Sequence, residues 1–331
     1  MSSKTVLVIG GAGFIGSYIA KKLLKKGCKV IVYDAYIQYF SPLENRNYQA
    51  FAGERLRDMH GDIEFVRGDV RDKYFLKSVI EKYKPSHIIL LAGLPIADIG
   101  DKNPEEAISS IIQGAVNVLD SIKGASFIER FVYTSSSMVY GDFEYAPADE
   151  EHPKRPKGMY GAARLSGEIL TESYGRRYGI PYTIIRPSAV YGPGDVNKRV
   201  TQIFLENAFE GKPITLHNGG QSKLDFSFAE DVAEGFVLAT FSPKALNQTF
   251  NITRGEGRSL KELADIIKRL SKKKVVIKSA PADVHRPERG ALSIEKAKKL
   301  LGYKPKYSLE EGMKKYYEFV KRYYEPQKKG R

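Results

Sequence analysis

The sequence predicts an α/β fold: a doubly wound parallel sheet followed by a smaller mixed α/β region. Three observations predict it. Short apolar runs alternate with amphipathic stretches through the first two-thirds of the chain; several runs are almost continuously apolar; and the first run ends in a glycine-rich turn that leads into a helical pattern. Near-continuous apolarity belongs to strands covered by helices on both faces, which is the environment of a parallel sheet.

In chain order, TVLVIG is the first strand, FIGSYIAKKLLKKG a helix, CKVIVYD the second strand and IEFVRGD the third. HIILLAG is the fourth, and NPEEAISSIIQGAVNVLDSI supplies a helix with apolar residues at helical spacing. RFVYTSS is the fifth strand, MYGAARLSGE opens a helix rich in Ala, Leu and Glu, and YTIIRPS is the sixth strand. After about residue 190 the elements shorten, with YGPGD, NGGQ and TRGEG as turns. The expected division is 1–190, with its last strands returning from the C-terminal part, and 191–331. In KKYYEFVKRYYE the aromatic residues from Tyr316 to Tyr324 form a stripe read as core or partner packing.

Composition excludes several functions. The chain has 331 residues, 42% of them hydrophobic, and no run of about 18 apolar residues, so it reads as cytoplasmic with no membrane partner. Cys28 is the only cysteine and the five histidines show no i, i+4 pairing, so no metal is expected. The net charge of +14 comes from lysines interspersed with acids rather than from a basic stripe with exposed aromatics, which argues against nucleic acid.

GGAGFIG places Gly10, Gly13 and Gly16 at three-residue intervals between a strand and a helix. Gly10 suits a tight turn, Gly13 lets backbone approach a pyrophosphate, and Gly16 permits close helix–strand packing, while the helix N-terminus offers free N–H groups. The alternative is a plain β–α turn. Asp34 closes the second strand 18 residues past Gly16, where a carboxylate accepts from the adenosine ribose hydroxyls. These two features indicate a Rossmann-type dinucleotide site. The acid repels a 2′-phosphate and favours NAD, with Arg46, Arg55 and Arg57 as nearby counter-evidence. Asp69 and Val70, after the third strand, are placed either to meet adenine or to form an Asx turn.

Thr134, Ser135, Ser136 and Ser137 lie at the C-terminal end of the fifth strand, the edge where open α/β sheets bind ligands, although such hydroxyls also cap backbone groups. Tyr160 and Arg164 are one helical turn apart and share a face. A tyrosine titrates near 10 in water, and a fixed cation favours its phenolate, so the pair reads as an acid/base with its support, or else as a chance surface pair.

Taken together, GGAGFIG, Asp34, TSSSMVYG, Tyr160-x-x-x-Arg164 and RPSAVYGPGD resemble the extended short-chain dehydrogenases/reductases, in their nucleotide-sugar epimerase/dehydratase branch, and most closely the UDP-glucose 4-epimerase type. The resemblance covers nearly the whole chain. It implies a redox-neutral epimerase, acting at C4 of a UDP- or dTDP-hexose through a transient keto sugar, with retained NAD and a homodimer formed through the helix bearing Tyr160 and the helix at 103–122. It gives Tyr160 the acid/base role, Ser136 with Ser137 the reacting oxygen, and Arg164 the nicotinamide ribose, in a place where the family has lysine. It adds Phe14, Ile15, Ala92 and Gly93 to the cofactor contacts. Ser188, Arg199, Lys223 and Arg286 join Ser136 and Tyr160 on the substrate side, with Arg289 nearby.

Dehydratases of the branch carry Asp and Glu, and decarboxylases Glu, where this chain has Ser137 and Met138, so epimerisation fits best. Ala189 and Leu224 replace an expected asparagine and arginine. Two rivals follow: a net NAD(P)-dependent reductase or dehydrogenase on a related sugar, and a catalytically weak NAD-binding sensor or scaffold.

Overall fold

The computed structural model describes residues 4–39, 48–57, 59, 63–271, 274–282 and 286–324; Arg46 therefore lies outside the described residues. The six strands expected from the sequence are β1 (Thr5–Ile9), β2 (Lys29–Asp34), β3 (Ile63–Arg67), β4 (His87–Leu90), β5 (Arg130–Thr134) and β6 (Tyr182–Arg186). Shorter pieces follow: β7 (Val190–Tyr191), β8 (Ile214–His217), β9 (Lys223–Asp225), β10 (Ser227–Phe228), β11 (Gln248–Asn251), β12 (Gly257–Ser259) and β13 (Ile277–Ala280). Among the described residues, seven strands build one parallel sheet in the order β11-β6-β5-β4-β1-β2-β3. The order reverses beside β1, so the carboxyl ends of β1 and β4 open a crevice of the kind that binds ligands in such sheets.

The helices used below are α1 (Phe14–Lys25), α2 (Tyr48–Leu56), α3 (Lys73–Tyr83), α4 (Ala97–Lys102), α5 (Pro104–Ala107), α6 (Gly114–Ile122), α7 (Met159–Tyr178), α8 (Val200–Glu210), α9 (Ala229–Phe241), α10 (Leu260–Leu270), α11 (Glu295–Leu301) and α12 (Leu309–Tyr324). The sheet's residues alternate between two cores. Val6, Val8, Val30 and Val32 pack with Ile19 and Phe236 from α1 and α9, while Leu7, Ile9, Ile31 and Ile88 pack with Leu76 and Leu119 from α3 and α6. A third core, of Phe204, Leu205, Leu216, Leu263 and Ile267, takes in Tyr316, Tyr317, Phe319 and Val320 of α12, so the aromatic stripe is packing. The stretch read as one helix at 103–122 is interrupted by a π-helical turn, Ile108–Gln113, between α5 and α6. Ser110 in that turn accepts from the Leu94 N–H at 3.1 Å, tying the helix to the loop after β4.

No helix among the described residues is long and apolar enough to cross a membrane, and among them no three His, Cys, Asp or Glu side chains group as a metal site would.

Candidate active site

A cavity of about 620 Å³ opens at the carboxyl ends of the strands, and its wall contains Gly10, Gly13, Phe14, Ile15, Gly16, Asp34, Asp69, Val70, Ala92 and Gly93 together with Ser136, Ser137, Tyr160, Arg164, Ser188, Arg199 and Arg286. Lys223 is the exception. It is exposed at the start of β9 and absent from the wall, because successive strand residues face opposite ways and Leu224 turns inward. A cation at the right distance in sequence was on the wrong side of the strand.

The glycine turn is built as a cradle. Gly10 has φ +87°, and a Cβ there would lie 2.6 Å from the Ala92 nitrogen; one on Gly16 would overlap the Gly10 carbonyl oxygen. Gly13 meets only that same oxygen, at 3.1 Å, and its free face fronts the cavity. Asp34 folds back over the turn, its carboxylate accepting from the Ala12 N–H at 2.9 Å and the Tyr36 N–H at 2.8 Å. Burial pushes its pKa above the ordinary carboxylate value and those two backbone donors oppose the rise. Asp69 lines the wall but is an Asx turn: it accepts from the Arg71 N–H at 2.9 Å and from the Arg71 guanidinium, which hold its pKa down. Val70, 5% exposed, forms the apolar edge beside it.

α7 carries its polar residues inward. Tyr160, Arg164, Glu168 and Thr171 recur at one-turn spacing and all are buried, with Gly167 letting the helix approach Tyr133 of β5 closely and Gly161 letting it approach the Met138 carbonyl of the serine turn. The sequence-level alternative of a surface Tyr/Arg pair is therefore excluded. The Arg164 guanidinium donates to the carbonyls of Thr134 at 2.9 Å and Leu94 at 3.3 Å, and its carbon sits 5.3 Å from the centre of the Tyr160 ring. Burial works against its charge, but the phenolic oxygens of Tyr160 and Tyr133 outweigh that and raise its pKa. Its Nε, with Thr134 Oγ1 and Ser135 Oγ, is buried without a hydrogen-bond partner among the described residues.

Ser136 begins the turn Ser137–Tyr140, its hydroxyl accepting from the Met138 N–H at 3.2 Å; Ser137 donates to Ser188 at 3.0 Å. Behind them a buried ion pair that sequence reasoning missed holds the parts together. Arg186 on β6 donates to both Glu168 carboxylate oxygens, at 2.8 and 2.7 Å, and to the Tyr140 hydroxyl at 2.8 Å; Tyr140 in turn donates to Asn251 of β11. The single signal for it was the lone arginine in the apolar run YTIIRPS.

The cations differ in their engagement. Arg199 is neutralised by Asp195 at 2.7 Å, and Arg286, exposed, reaches Asp98 at 3.3 Å. Arg289 also lines the wall; its guanidinium makes a long contact to the Ser137 hydroxyl, 3.5 Å, and its Nε is buried with no partner among the described residues. Ala189, standing where the family has asparagine, has φ +36°.

The GDP-mannose 4,6 dehydratase family model matches residues 7–316. A putative UDP-glucose 4-epimerase of Methanocaldococcus jannaschii is 32% identical, over 96% of this chain and 98% of that protein. UDP-glucuronate 4-epimerase 1 of Arabidopsis thaliana is 29% identical, over 97% of this chain and 77% of that protein. The crystal structure of UDP-glucuronic acid 4-epimerase from Bacillus cereus, in complex with UDP-glucuronic acid and NAD, superposes with a TM-score of 0.88 at 25% identity, covering 96% of this chain and 99% of that one. With the glycine cradle, the serine turn and the buried Tyr160–Arg164 face lining one cavity, the chain belongs to the GDP-mannose 4,6 dehydratase family, in the nucleotide-sugar epimerase/dehydratase branch of the extended short-chain dehydrogenases/reductases.

Proposed function

We propose that the protein is an NAD-dependent 4-epimerase of a UDP-linked sugar. The observation that carries this reading is the serine turn: Ser136, Ser137 and Met138 line the cavity opposite Tyr160, where elimination of water would need carboxyls. NAD fits the residues present, since a Cβ would fill the cradle at Gly10 or Gly16 and Asp34 at the end of β2 disfavours a 2′-phosphate. Bound there, it supplies reversible hydride acceptance. Gly10, Gly13 and the α1 N-terminus would hold its pyrophosphate, Asp34 its adenosine ribose and Val70 its adenine edge, with Ala92 and Gly93 in the same wall.

Tyr160 takes the proton from the sugar hydroxyl as the C4–H bond gives up its hydride, leaving a keto sugar. Ser136, with Ser137 and Ser188 behind it, hydrogen-bonds the reacting oxygen and fixes its orientation. Arg164 stabilises the phenolate and anchors the nicotinamide ribose. Tyr160 returns its proton when hydride is restored to the opposite face, so no net redox change results. Ser188 and Arg199 complete the substrate side.

The relatives support a UDP sugar: two are named for UDP-glucose or UDP-glucuronate 4-epimerisation, and one is a complex with UDP-glucuronic acid and NAD. Both ligands are charged phosphate esters that do not cross a bilayer unaided, which favours a cytoplasmic enzyme. Exposed Ile108 (45%) and Ile169 (55%), on the two helical stretches that the family pairs, support a homodimer. The separate core around Phe204 and Leu263 supports a substrate-side lobe within 191–331, with β11, α9 and α11 returned to the cofactor lobe.

The test is incubation of the purified protein with NAD and UDP-sugars, following sugar protons by NMR. New epimer signals without net NADH are expected, and none in the Tyr160→Phe variant, which still binds NAD. Stoichiometric NADH would instead indicate a dehydrogenase. NAD binding with no turnover of any sugar would indicate a sensor.

A further inference from the structure

Around the cavity Arg164 is held by two backbone carbonyls, and three other cations are answered by an acid: Arg199 by Asp195, Lys198 by Glu206 and Arg286 by Asp98. Arg289 is not. It has no carboxylate within ion-pairing distance among the described residues, its Nε is buried without an acceptor, and burial together with the like charge of Arg286 pushes its pKa down to about 10. A buried guanidinium without an anion is costly unless the anion arrives with a ligand.

Its position is fixed. The Phe143 N–H donates to the Glu288 carbonyl at 2.9 Å, the Glu288 N–H to the Asp142 carboxylate at 2.8 Å, and the Ala148 N–H to the Ala291 carbonyl at 3.0 Å, so the backbone on both sides of Arg289 is pinned to the segment after the serine turn. The side chain then points to Ser137, neighbour of the serine assigned to the reacting oxygen, and Ser137 is itself bonded to Ser188. This cation lies at the reacting-sugar end of the cavity.

We propose that Arg289 is a specificity-determining residue that pairs with a carboxylate on the sugar, so that the substrate is a nucleotide-linked uronate rather than a neutral hexose. The inference rests on the epimerase reading for which end of the cavity holds the sugar. A planar guanidinium meets a carboxylate with two parallel hydrogen bonds, a geometry a hydroxymethyl group cannot return, and the Ser188 hydroxyl, which accepts from Ser137, supplies a further donor to the same group. A neutral hexose leaves Arg289 as buried and unpaired as it is without a ligand and so gains nothing from it, and the difference between the two sugars is the pairing energy of the uronate.

The experiment compares wild type, Arg289→Met and Arg289→Lys, all NAD-loaded, against UDP-glucuronate, UDP-glucose and UDP, reading both calorimetric affinity and turnover by NMR. Wild type is expected to prefer UDP-glucuronate. Arg289→Met loses about 100-fold in affinity and in kcat/KM for it, the scale of a broken buried charge pair, while UDP-glucose and UDP change little; Arg289→Lys recovers part of the loss. An equal loss on all three ligands would make Arg289 a diphosphate anchor and overturn the proposal, as would preference of wild type for UDP-glucose. Arg289-dependent binding of UDP-glucuronate without epimer formation would retire the epimerase reading and leave the uronate site standing.

Discussion

Replacing Arg164 separates its two duties. Its guanidinium spans the carbonyls of Thr134 and Leu94 and lies 5.3 Å from the Tyr160 ring centre. In Arg164→Lys the charge stays, but a compact ammonium cannot serve both carbonyls in the same geometry; one unsatisfied carbonyl costs about 1–3 kcal/mol, or about 2–4 °C in Tm for a chain of this size. In Arg164→Met the charge goes as well. At about 5 Å and an effective dielectric of about 20, a unit charge stabilises a developing phenolate by ~3 kcal/mol, so kcat falls about 150-fold. The assay is kcat by NMR under saturating NAD, beside thermal unfolding with and without NAD. Arg164→Lys is expected to melt slightly earlier and to keep turnover within about tenfold, while Arg164→Met loses both. Unchanged kcat in Arg164→Met would refute the electrostatic role, whatever its Tm.

Other substitutions test the remaining parts. Gly16→Ala forces a Cβ onto the Gly10 carbonyl and should lower Tm by several degrees, at about 1–3 kcal/mol, and abolish NAD binding; Gly13→Ala should melt normally without NAD yet bind it at least about tenfold more weakly, by equilibrium titration. Ala189→Asn should be neutral or stabilising by up to about 1 kcal/mol, because asparagine tolerates φ +36° better than alanine, and should tighten UDP binding. Asp225 is fully buried, accepts from Thr253 and from the N–H groups of Arg254, Gly255 and Leu292, and has its pKa pushed up to about 7 by burial. The folded state therefore holds its proton where the unfolded chain has lost it. Stability from this group falls as pH rises from about 4 to 7, and Asp225→Asn should remove that slope from the chemical denaturation curve.

The legibility of the chain follows the physics of each signal. β1 to β6 were readable because strands covered on both faces must be apolar nearly throughout, and TVLVI, VIVYD and HIIL leave no other reading. β11 was not, because QTFN is four residues of mixed polarity that become a strand only when β6 lies beside them. The glycine turn and the acid facing it were legible since Gly10, Gly13, Gly16 and Asp34 are local to one turn and the next strand end. The far wall of the cavity was not: which face Lys223 takes, and whether Arg286 or Arg289 lacks a carboxylate partner among the described residues, depend on contacts across the fold that spacing does not encode. Arg186 shows the same limit, since its partner Glu168 lies 18 residues away on a helix whose inward face is polar.

The edge position of β11 has a consequence for synthesis. The last sheet strand beside β6 comes from residues 248–251, more than 60 residues downstream, and Asn251 also receives the Tyr140 hydroxyl bond that secures the serine turn. On the ribosome, β6 must therefore wait with an open backbone edge until the chain past residue 251 has emerged, and long-range parallel pairing of this kind is slow and exposed to association with other chains. A nascent or nicked chain ending near residue 190 carries the whole glycine turn yet lacks the strand that pairs with β6. Such a fragment is expected to aggregate rather than to survive as a free-standing nucleotide binder.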